Sequence, residues 1–209
     1  MLSDWSVGSG GGRQGSLDSV VERDADGLPH VPATTLRGIW RDAAEQLAYA
    51  MDDGKARRDD QSPSPWCALV DHLFGSQPAL DLRGKRGDEP IPSRLVLSDA
   101  RLPENLRLAL RDRPRLRQAM VVIRPGVAIE ARSGRAETNF LRFEEAARQG
   151  AVLEAEASIA LPAGDGADQA LCCLALAATR LVERLGGNRR RGLGRCEMTV
   201  CDGRIVEFD

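Results

Sequence analysis

The residues best suited to bind a ligand lie in one stretch near the end of the chain, Gly186 to Arg195, which reads GGNRRRGLGR and is called the Gly–Arg loop below. Glycine adopts positive φ angles and lets a backbone approach a ligand closely, and arginine binds phosphate oxygens through two parallel hydrogen bonds. The loop therefore predicts a surface that holds a polyanion. The predicted contacts are Gly186, Gly187, Asn188, Arg189, Arg190, Arg191, Gly192 and Gly194. The alternative is a helix cap followed by a solvated basic loop.

The overall composition does not itself indicate a polyanion partner. The 209 residues include 29 Lys and Arg against 31 Asp and Glu, a formal net charge of −2. A polyanion would have to be held by local clusters of positive charge. The length fits one domain or one domain with insertions, and a hydrophobic content of 42% is enough for a core.

Five cysteines, an odd number without the spacing of a zinc site, predict reduced and mostly packed thiols and hence a cytoplasmic protein. No run approaches the roughly 20 apolar residues that a membrane span needs. The first residues also lack the basic and apolar segments of a signal peptide.

Two long helices are predicted from apolar residues that recur at helical spacing. The first runs to Met51 after an N-cap at Thr34 or Thr35, and the second covers residues 167–185 and leads directly into the Gly–Arg loop. A shorter helix is predicted in the apolar segment 67–75.

Arg37 and Arg41 lie one turn apart near the start of the first helix. The N-terminus of a helix is the positive end of its dipole, and this place favours a contact with phosphate. Either arginine could instead be an ordinary charge on the helix surface.

Strands are predicted at residues 94–100, 120–123 and 151–161 from β-branched and alternating residues. A β-hairpin is predicted at the end of the chain, from Glu197 to Phe208. Residues 124–149, which contain glycines and several arginines, are predicted to be irregular. Helices packed on one antiparallel sheet give an α+β fold class.

Four segments occur in an order that resembles a known family. They are the glycine-rich segment from Gly8 with Asp18 after it, the segment GLPHVPATTLRG at 27–38, the pair LFGS and RLVLSDA at 73–76 and 94–100, and the Gly–Arg loop. In this order they resemble the RAMP superfamily, the RNA-binding subunits of CRISPR effector complexes, over nearly the whole chain. The family pattern GxPxIPxSSLKGxxR is matched with Thr34 and Thr35 for the serines, Arg37 for the lysine and Arg41 for the distal arginine.

The resemblance implies a ferredoxin-like core similar to an RNA-recognition fold, with an antiparallel sheet, two helices and an inserted thumb or lid region. It implies one domain over residues 1–209, with insertions at about 52–93 and 124–148. The second insertion would be the thumb that splays a base, and Arg135 and Thr35 would join the RNA contacts. Only Leu2 to Val7 remains for the strand that normally precedes the first glycine-rich turn, so a shortened N-terminus is expected.

The resemblance also implies a catalytic residue. In type III members of the family, an aspartate in the first glycine-rich segment cleaves target RNA, and the matching position here is Asp18. A carboxylate can act as a base toward a ribose 2′-hydroxyl or hold a divalent metal, and Mg²⁺ is the expected cofactor for cleavage, without tight binding at rest. Asp18 could instead only cap a turn, and Asp24 and Asp26 are second candidates for the catalytic carboxylate.

The predicted function is a guide-RNA-binding backbone subunit of a type III CRISPR antiviral ribonucleoprotein that cleaves target RNA at regular intervals. Its partners would be guide RNA, target RNA and other effector subunits, including copies or paralogues of itself, without a membrane. One alternative is a non-catalytic RNA-binding or capping subunit of the same kind of complex. A nucleotide-binding enzyme is disfavoured, because a phosphate loop runs from a strand into a helix and carries a lysine and a hydroxyl residue, which the Gly–Arg loop lacks.

Overall fold

The computed structural model describes residues 1–10, 17–54, 64–76, 90–129, 136–161 and 166–201, without the side chains of 128–129, 136–140 and 166–167. The chain divides into two compact units. The first unit consists of Met1–Thr35, Asp99–Ala155 and Arg184–Glu197. The second consists of Leu36–Ser98, Glu156–Glu183 and Met198–Asp209. The expectation of a single domain with two insertions stays a prediction.

Helices and small antiparallel sheets alternate along the described chain. In order they are α1 (Ala33–Met51), α2 (Pro65–Phe74), β1 (Leu95–Leu97), α3 (Glu104–Leu110), α4 (Pro114–Ala119), β2 (Val121–Ile129), β3 (Ala136–Ala147), β4 (Ala157–Ile159), α5 (Gly166–Thr179) and a 3₁₀ turn (Arg189–Arg191). β2 pairs with β3, and β1 pairs with β4. None of the described helices is long and apolar enough to cross a membrane.

The first unit is built around the β2–β3 hairpin. Its register runs from Val121 opposite Ala147 to Ile129 opposite Ala136. The N-terminal segment is added to this hairpin and folds back on itself through isolated antiparallel bridges, which join Trp5 to Ala147, Gly8 to Val21, Arg23 to Pro29 and Val31 to Ala100. Apolar side chains from all three parts of the unit are buried in it, including Trp5, Val7, Val21, Leu28, Leu102, Leu110, Leu185 and Leu193.

The second unit contains most of α1 together with α2, α5 and the β1–β4 pair. Trp40 is buried, its indole N–H donates to the Ala175 carbonyl at 3.0 Å, and its ring meets that of Phe74 edge-on with centroids 6.1 Å apart. The edge-on arrangement is the one that aromatic pairs favour. The interpretation of Trp40 as a packing residue is therefore confirmed.

The two long helices and the short helix near residue 70 are confirmed, as are strands near 95 and 121. The predicted N-cap at Thr34 or Thr35 is wrong, because α1 begins at Ala33. The acceptor for its first N–H is the carboxylate of Asp99, at 2.9 Å from the Ala33 nitrogen. The side chain that caps the start of α1 therefore comes from a residue distant in sequence, whereas the sequence pattern predicted the hydroxyl of a neighbouring threonine.

The prediction that residues 124–149 are irregular is wrong, because most of them belong to the β2–β3 hairpin. Pro125 stands opposite Phe143 and Gly126 opposite Arg142 in its register. A proline is tolerated in a two-stranded ribbon where its missing N–H faces an outer edge. Pro125 and Gly126, which usually interrupt strands, therefore led to the wrong prediction of an irregular segment.

One strand and one helix are shorter in the structure than the sequence predicts. The strand expected at 151–161 is reduced to β4, with an isolated bridge between Glu154 and Arg101 before it. The helix expected to reach residue 185 ends at Thr179, whose hydroxyl donates to the Leu176 carbonyl at 2.7 Å. Residues 197–201 form no regular strand, and the second half of the predicted terminal hairpin lies outside the described residues, as do residues 11–16 of the glycine-rich segment.

The carboxylate of Asp99 organises the junction before α1. Besides the Ala33 N–H, it accepts a hydrogen bond from Arg101 at 2.8 Å, and Nε2 of the buried His30 lies 4.0 Å away. The Arg101 hydrogen bond, followed by that of Ala33, lowers the pKa of Asp99 below its ordinary value. A carboxyl whose pKa is lowered by folding stabilises the fold above its unfolded pKa, and this contribution disappears as the pH falls through its folded pKa.

We therefore expect Asp99→Ala to lower the free energy of unfolding at neutral pH by about 1–2 kcal/mol, because α1 and Arg101 both lose their acceptor. Asp99→Asn keeps an oxygen for the Ala33 N–H and should cost less. Urea unfolding is the measurement. The difference between wild type and Asp99→Ala should shrink as the pH falls below the ordinary aspartate pKa of about 3.9 and through the lowered pKa of the folded Asp99 carboxyl. A difference that does not change with pH would contradict a role for the charge.

Candidate nucleic-acid interface

The Gly–Arg loop is closed at its base and docked on the N-terminal segment. The Leu185 N–H donates to the Gly194 carbonyl at 2.9 Å, which joins the two ends of the loop. The N–H groups of Gly187 and Gly194 donate to the carbonyls of Ser6 and Asp4, at 2.7 and 2.8 Å. The loop is therefore held by backbone hydrogen bonds, which no side-chain replacement in the loop removes directly.

Two of its glycines are required by the protein's own packing. Gly186 and Gly194 have φ angles of +78° and +76°, and a Cβ atom would lie 2.2 Å from the Ser6 carbonyl oxygen at the first and 1.9 Å from that of Leu185 at the second. Gly192 also has a positive φ of +84°, but a Cβ atom there would meet nothing within 4 Å. Close approach of a ligand to the backbone is therefore open at Gly192, while Gly186 and Gly194 are explained by the fold.

The three consecutive arginines stand on one exposed turn. Arg189–Arg191 form the 3₁₀ turn, flanked by Asn188 and Gly192 in the left-handed conformation. All three side chains are exposed, and within the described residues their guanidinium groups make no hydrogen bond. The nearest acidic contact is that of Arg191, whose Nη1 lies 4.0 Å from Oε1 of Glu144. The turn thus offers three positive charges to a ligand.

Asp18 pairs with strand β3 through both its backbone and its side chain. Its N–H donates to the Phe143 carbonyl at 2.9 Å, and its Oδ2 accepts the Phe143 N–H at 2.7 Å. Asp18 is exposed, and Oδ1 has no hydrogen-bond partner in the described chain. One carboxylate oxygen is therefore structural, and the other is available to a ligand or a proton.

Strand β3 brings Asp18 and the Gly–Arg loop to neighbouring residues. Glu144, directly after the partner of Asp18, accepts a hydrogen bond from Nδ2 of Asn188 at 2.8 Å. Its side chain is largely buried, with 25% of its surface exposed. Sequence reasoning did not assign Glu144 to the site, and its separation of 44 residues from Asn188 left no pattern by which to find it.

Arg37 and Arg41 lie in the second unit, and both are bound internally. Arg37 donates to the Leu95 carbonyl at 3.0 Å. Arg41 donates to Glu45 at 2.6 Å, to the Gly75 carbonyl at 2.6 Å and to Asp71 at 3.0 Å. A guanidinium with three internal partners is less available to phosphate than those of the exposed turn. The predicted RNA contacts of these arginines and of Thr35 stay predictions, and Arg135 lies outside the described residues.

Asp24 and Asp26, the second candidates for the catalytic carboxylate, belong to an ion-pair cluster with Arg107. Arg107 donates a hydrogen bond to the Asp26 carboxylate, and Nε of Arg107 lies 3.6 Å from Oδ2 of Asp24. The Asp24 carboxylate also accepts the N–H groups of Asp26 and Leu28 at 3.0 Å each. Both side chains therefore hold a turn, which ranks them below Asp18 for chemistry.

No group of three or more His, Cys, Asp or Glu side chains in the described part of the chain is placed to hold a metal ion. A magnesium ion that kept most of its water would need only one or two carboxylates together with substrate phosphates, and Asp18 offers one carboxylate. All five cysteines are free. Burial, followed by a hydrogen bond with Asp52, raises the pKa of Cys67 to about 11, so this thiol stays protonated.

Comparison with known proteins gives one family and one set of structures. The family model described as the RAMP superfamily matches residues 1–197. No curated protein matches the chain. The chain is similar to one in a cryo-EM structure of type III-B Cmr-beta bound to cognate target RNA, with 12% identity, a TM-score of 0.62 and coverage of 95% of this chain and 93% of that one.

Two further structures are similar. A chain of type III-B Cmr-beta in the apo state has 14% identity and a TM-score of 0.58, with coverage of 94% and 93% of the two chains. A chain of a type IV-B CRISPR complex has 17% identity and a TM-score of 0.60, with coverage of 99% and 90%. At these identities the likeness shows the fold alone. The α+β fold class is confirmed, and the likeness is consistent with the ferredoxin-like core.

The contrast between two glycines of the loop gives a stability test. We expect Gly194→Ala to lower the melting temperature by at least about 6 °C, because the methyl group would collide with the Leu185 carbonyl in addition to straining the backbone. Gly192→Ala, the matched control with the same backbone conformation and open space, should cost about 1 kcal/mol, or roughly 2–4 °C. Equal shifts in thermal unfolding would contradict the close approach at Gly194.

Proposed function

The chain belongs to the RAMP superfamily, and from this membership we propose that it is a guide-RNA-binding backbone subunit of a type III CRISPR antiviral ribonucleoprotein that cleaves target RNA at regular intervals. Its partners are guide RNA, target RNA and other effector subunits, including copies or paralogues of itself. The observation that carries the proposal is the meeting of Asp18 and the Gly–Arg loop at residues 143–144 of β3. Strand β3 thereby binds both an exposed carboxylate, that of Asp18, and an exposed cationic turn, at two adjacent residues.

RNA binding follows from the charges of the exposed turn. Arg189, Arg190 and Arg191 have no internal hydrogen-bonded partner among the described residues, so their charge is available to phosphates. The Gly192 backbone is open beside them. Contacts of this kind read no base sequence, and specificity would come from pairing between guide and target, as in other RNA-guided systems.

Cleavage follows from the free oxygen of Asp18. With Oδ2 held by the Phe143 N–H, the carboxylate has a fixed direction, and Oδ1 can take the proton of a ribose 2′-hydroxyl. The 2′-oxygen then attacks the adjacent phosphorus and the P–O5′ bond breaks, which leaves a 2′,3′-cyclic phosphate on one product and a 5′-oxygen, protonated by water, on the other. If a magnesium ion takes part, Asp18 is the residue that would hold it, and the ion would supply charge stabilisation for the phosphate.

The second candidate function is a non-catalytic RNA-binding or capping subunit of the same kind of complex. It is favoured by the pairing of Asp18 with Phe143, which by itself accounts for a carboxylate at this position. The two candidates share the Gly–Arg loop and differ only in whether Asp18 carries chemistry.

The variant that separates them is Asp18→Asn, because the amide oxygen can still accept the Phe143 N–H while the charge and the basicity are lost. In the complex assembled with guide RNA, we expect target cleavage to slow by at least about 100-fold without loss of RNA affinity. Asp112→Asn, on an exposed residue of the same unit, is the control and should leave the rate unchanged. Wild-type cleavage by the Asp18→Asn complex would support the non-catalytic candidate instead.

Binding is tested by replacing Arg189, Arg190 and Arg191 together with alanine. We expect RNA affinity to fall about 100-fold at low salt and the slope of log affinity against log salt to fall by about 2, because a protein that neutralises fewer phosphates releases fewer counterions. The control is Arg111→Ala, since Arg111 is also exposed and makes no side-chain hydrogen bond in the described chain. Equal reductions in affinity for the two variants would show that the loop is not a specific binding surface.

A further inference from the structure

Glu144 is the one carboxylate that contacts the exposed arginine turn among the described residues. Oε2 accepts the Asn188 amide N–H at 2.8 Å, and Oε1 faces Arg191 at 4.0 Å. Its backbone is fixed from the other side, because Ser19 forms a bridge with Glu144 and the Ser19 carbonyl accepts the Glu145 N–H at 2.9 Å. Glu144 therefore pairs through its backbone with the segment that carries Asp18, and its carboxylate contacts the Gly–Arg loop.

Asn188 sets the direction in which the arginine turn leaves the fold. Its φ and ψ angles of 54° and 26° lie in the left-handed region, which costs free energy for a residue other than glycine. The Asn188 carbonyl accepts the Arg191 N–H at 2.8 Å and so closes the turn. The hydrogen bond from Asn188 to Glu144 offsets the cost of this conformation and ties the turn to β3.

A carboxylate at a surface for phosphates has two opposite effects. Its negative charge repels RNA, so on electrostatic grounds alone its removal should strengthen binding. Its hydrogen bond fixes the turn, so on geometric grounds its removal should weaken binding. The two effects on RNA affinity have opposite signs. A variant of Glu144 that loses the negative charge but keeps an oxygen to accept the Asn188 hydrogen bond therefore separates them.

We propose that Glu144 is a positioning residue that holds the arginine turn in fixed register with Asp18 by accepting the Asn188 hydrogen bond. The proposal rests on the proposed function and adds the connection between its two halves. Phosphate binding competes only for Arg191, whose contact with Glu144 is long, while the short Asn188 bond persists in the RNA-bound state. The distance between the bound phosphates and the cutting carboxylate is thereby set by β3.

The test compares Glu144→Ala with Glu144→Gln in the complex assembled with guide RNA. Glu144→Gln keeps an oxygen for Asn188 and loses the charge, so we expect RNA affinity equal to or up to about threefold above that of the wild type. Glu144→Ala loses the same charge and also the acceptor, and we expect affinity to fall about 5- to 10-fold. We also expect Glu144→Ala to slow target cleavage at saturating RNA or to add cuts at neighbouring nucleotides. If the two variants bind and cut alike, the proposal is wrong.

Asn188 supplies the matched partner. Asn188→Ala should weaken RNA binding at least as much as Glu144→Ala, because it removes the same bond and keeps the repelling charge, and the double variant should be no worse than Asn188→Ala. Asn188→Gly should lie between Asn188→Ala and the wild type, since glycine adopts the left-handed conformation without strain. Additive reductions in the double variant would overturn the proposal.

A readout without RNA separates this proposal from the proposed function. Hydrogen exchange of the Arg191 amide, which donates to the Asn188 carbonyl, should accelerate about 10-fold in Glu144→Ala and not in Glu144→Gln, with equal melting temperatures as the sign that both variants fold. Unchanged exchange would refute the positioning role whatever the RNA results. Absence of RNA binding by the wild-type complex, with accelerated exchange in Glu144→Ala, would instead refute the proposed function and leave the hold of Glu144 on the turn supported.

Discussion

The candidate interface depends on two backbone contacts that are too close for any side chain. At Gly186 the N-terminal segment passes so near the chain that the Ser6 carbonyl would touch a Cβ atom, and at Gly194 the two ends of the loop meet as closely. These contacts, with the hydrogen bonds of Gly187 and Gly194, fix the base of the Gly–Arg loop. The rest of the loop then rises from a rigid base, and the arginines can point outward without being held by ion pairs.

The arginines of the described chain differ in what they are available to do. Those with several internal partners, such as Arg41 and Arg107, hold segments of the fold together, and their charge is balanced by nearby carboxylates. The exposed turn is different, because among the residues that the structure describes its charges are balanced only by the long contact between Arg191 and Glu144. Partners therefore distinguish binding arginines from structural ones, whereas the number of arginines in a segment does not.

Sequence reasoning located the features whose signal is local. The helical spacing around Trp40, the run of apolar residues in α5 and the composition of the Gly–Arg loop were all readable from neighbouring residues. The features it missed depend on distant pairs. Asp99 caps α1 from 66 residues away, Glu144 meets Asn188 across 44 residues, and the close contact at Gly186 comes from Ser6. The β2–β3 hairpin was missed for the opposite reason, because Pro125 and Gly126 carry a strong local signal that cross-strand pairing overrides.

The composition of the first unit from three separated parts of the chain has a consequence for folding. Among the described residues, the N-terminal segment has partners near Ala100, at residues 143–151 and again at Gly186–Arg195, so the unit cannot close until residue 195 has left the ribosome. Contacts of such long sequence separation slow folding, because the entropy of loop closure is lost before the contacts form. Until then the core that buries Trp5 and Val7 lacks Leu185 and Leu193, and a growing chain would need protection from aggregation through its first segment.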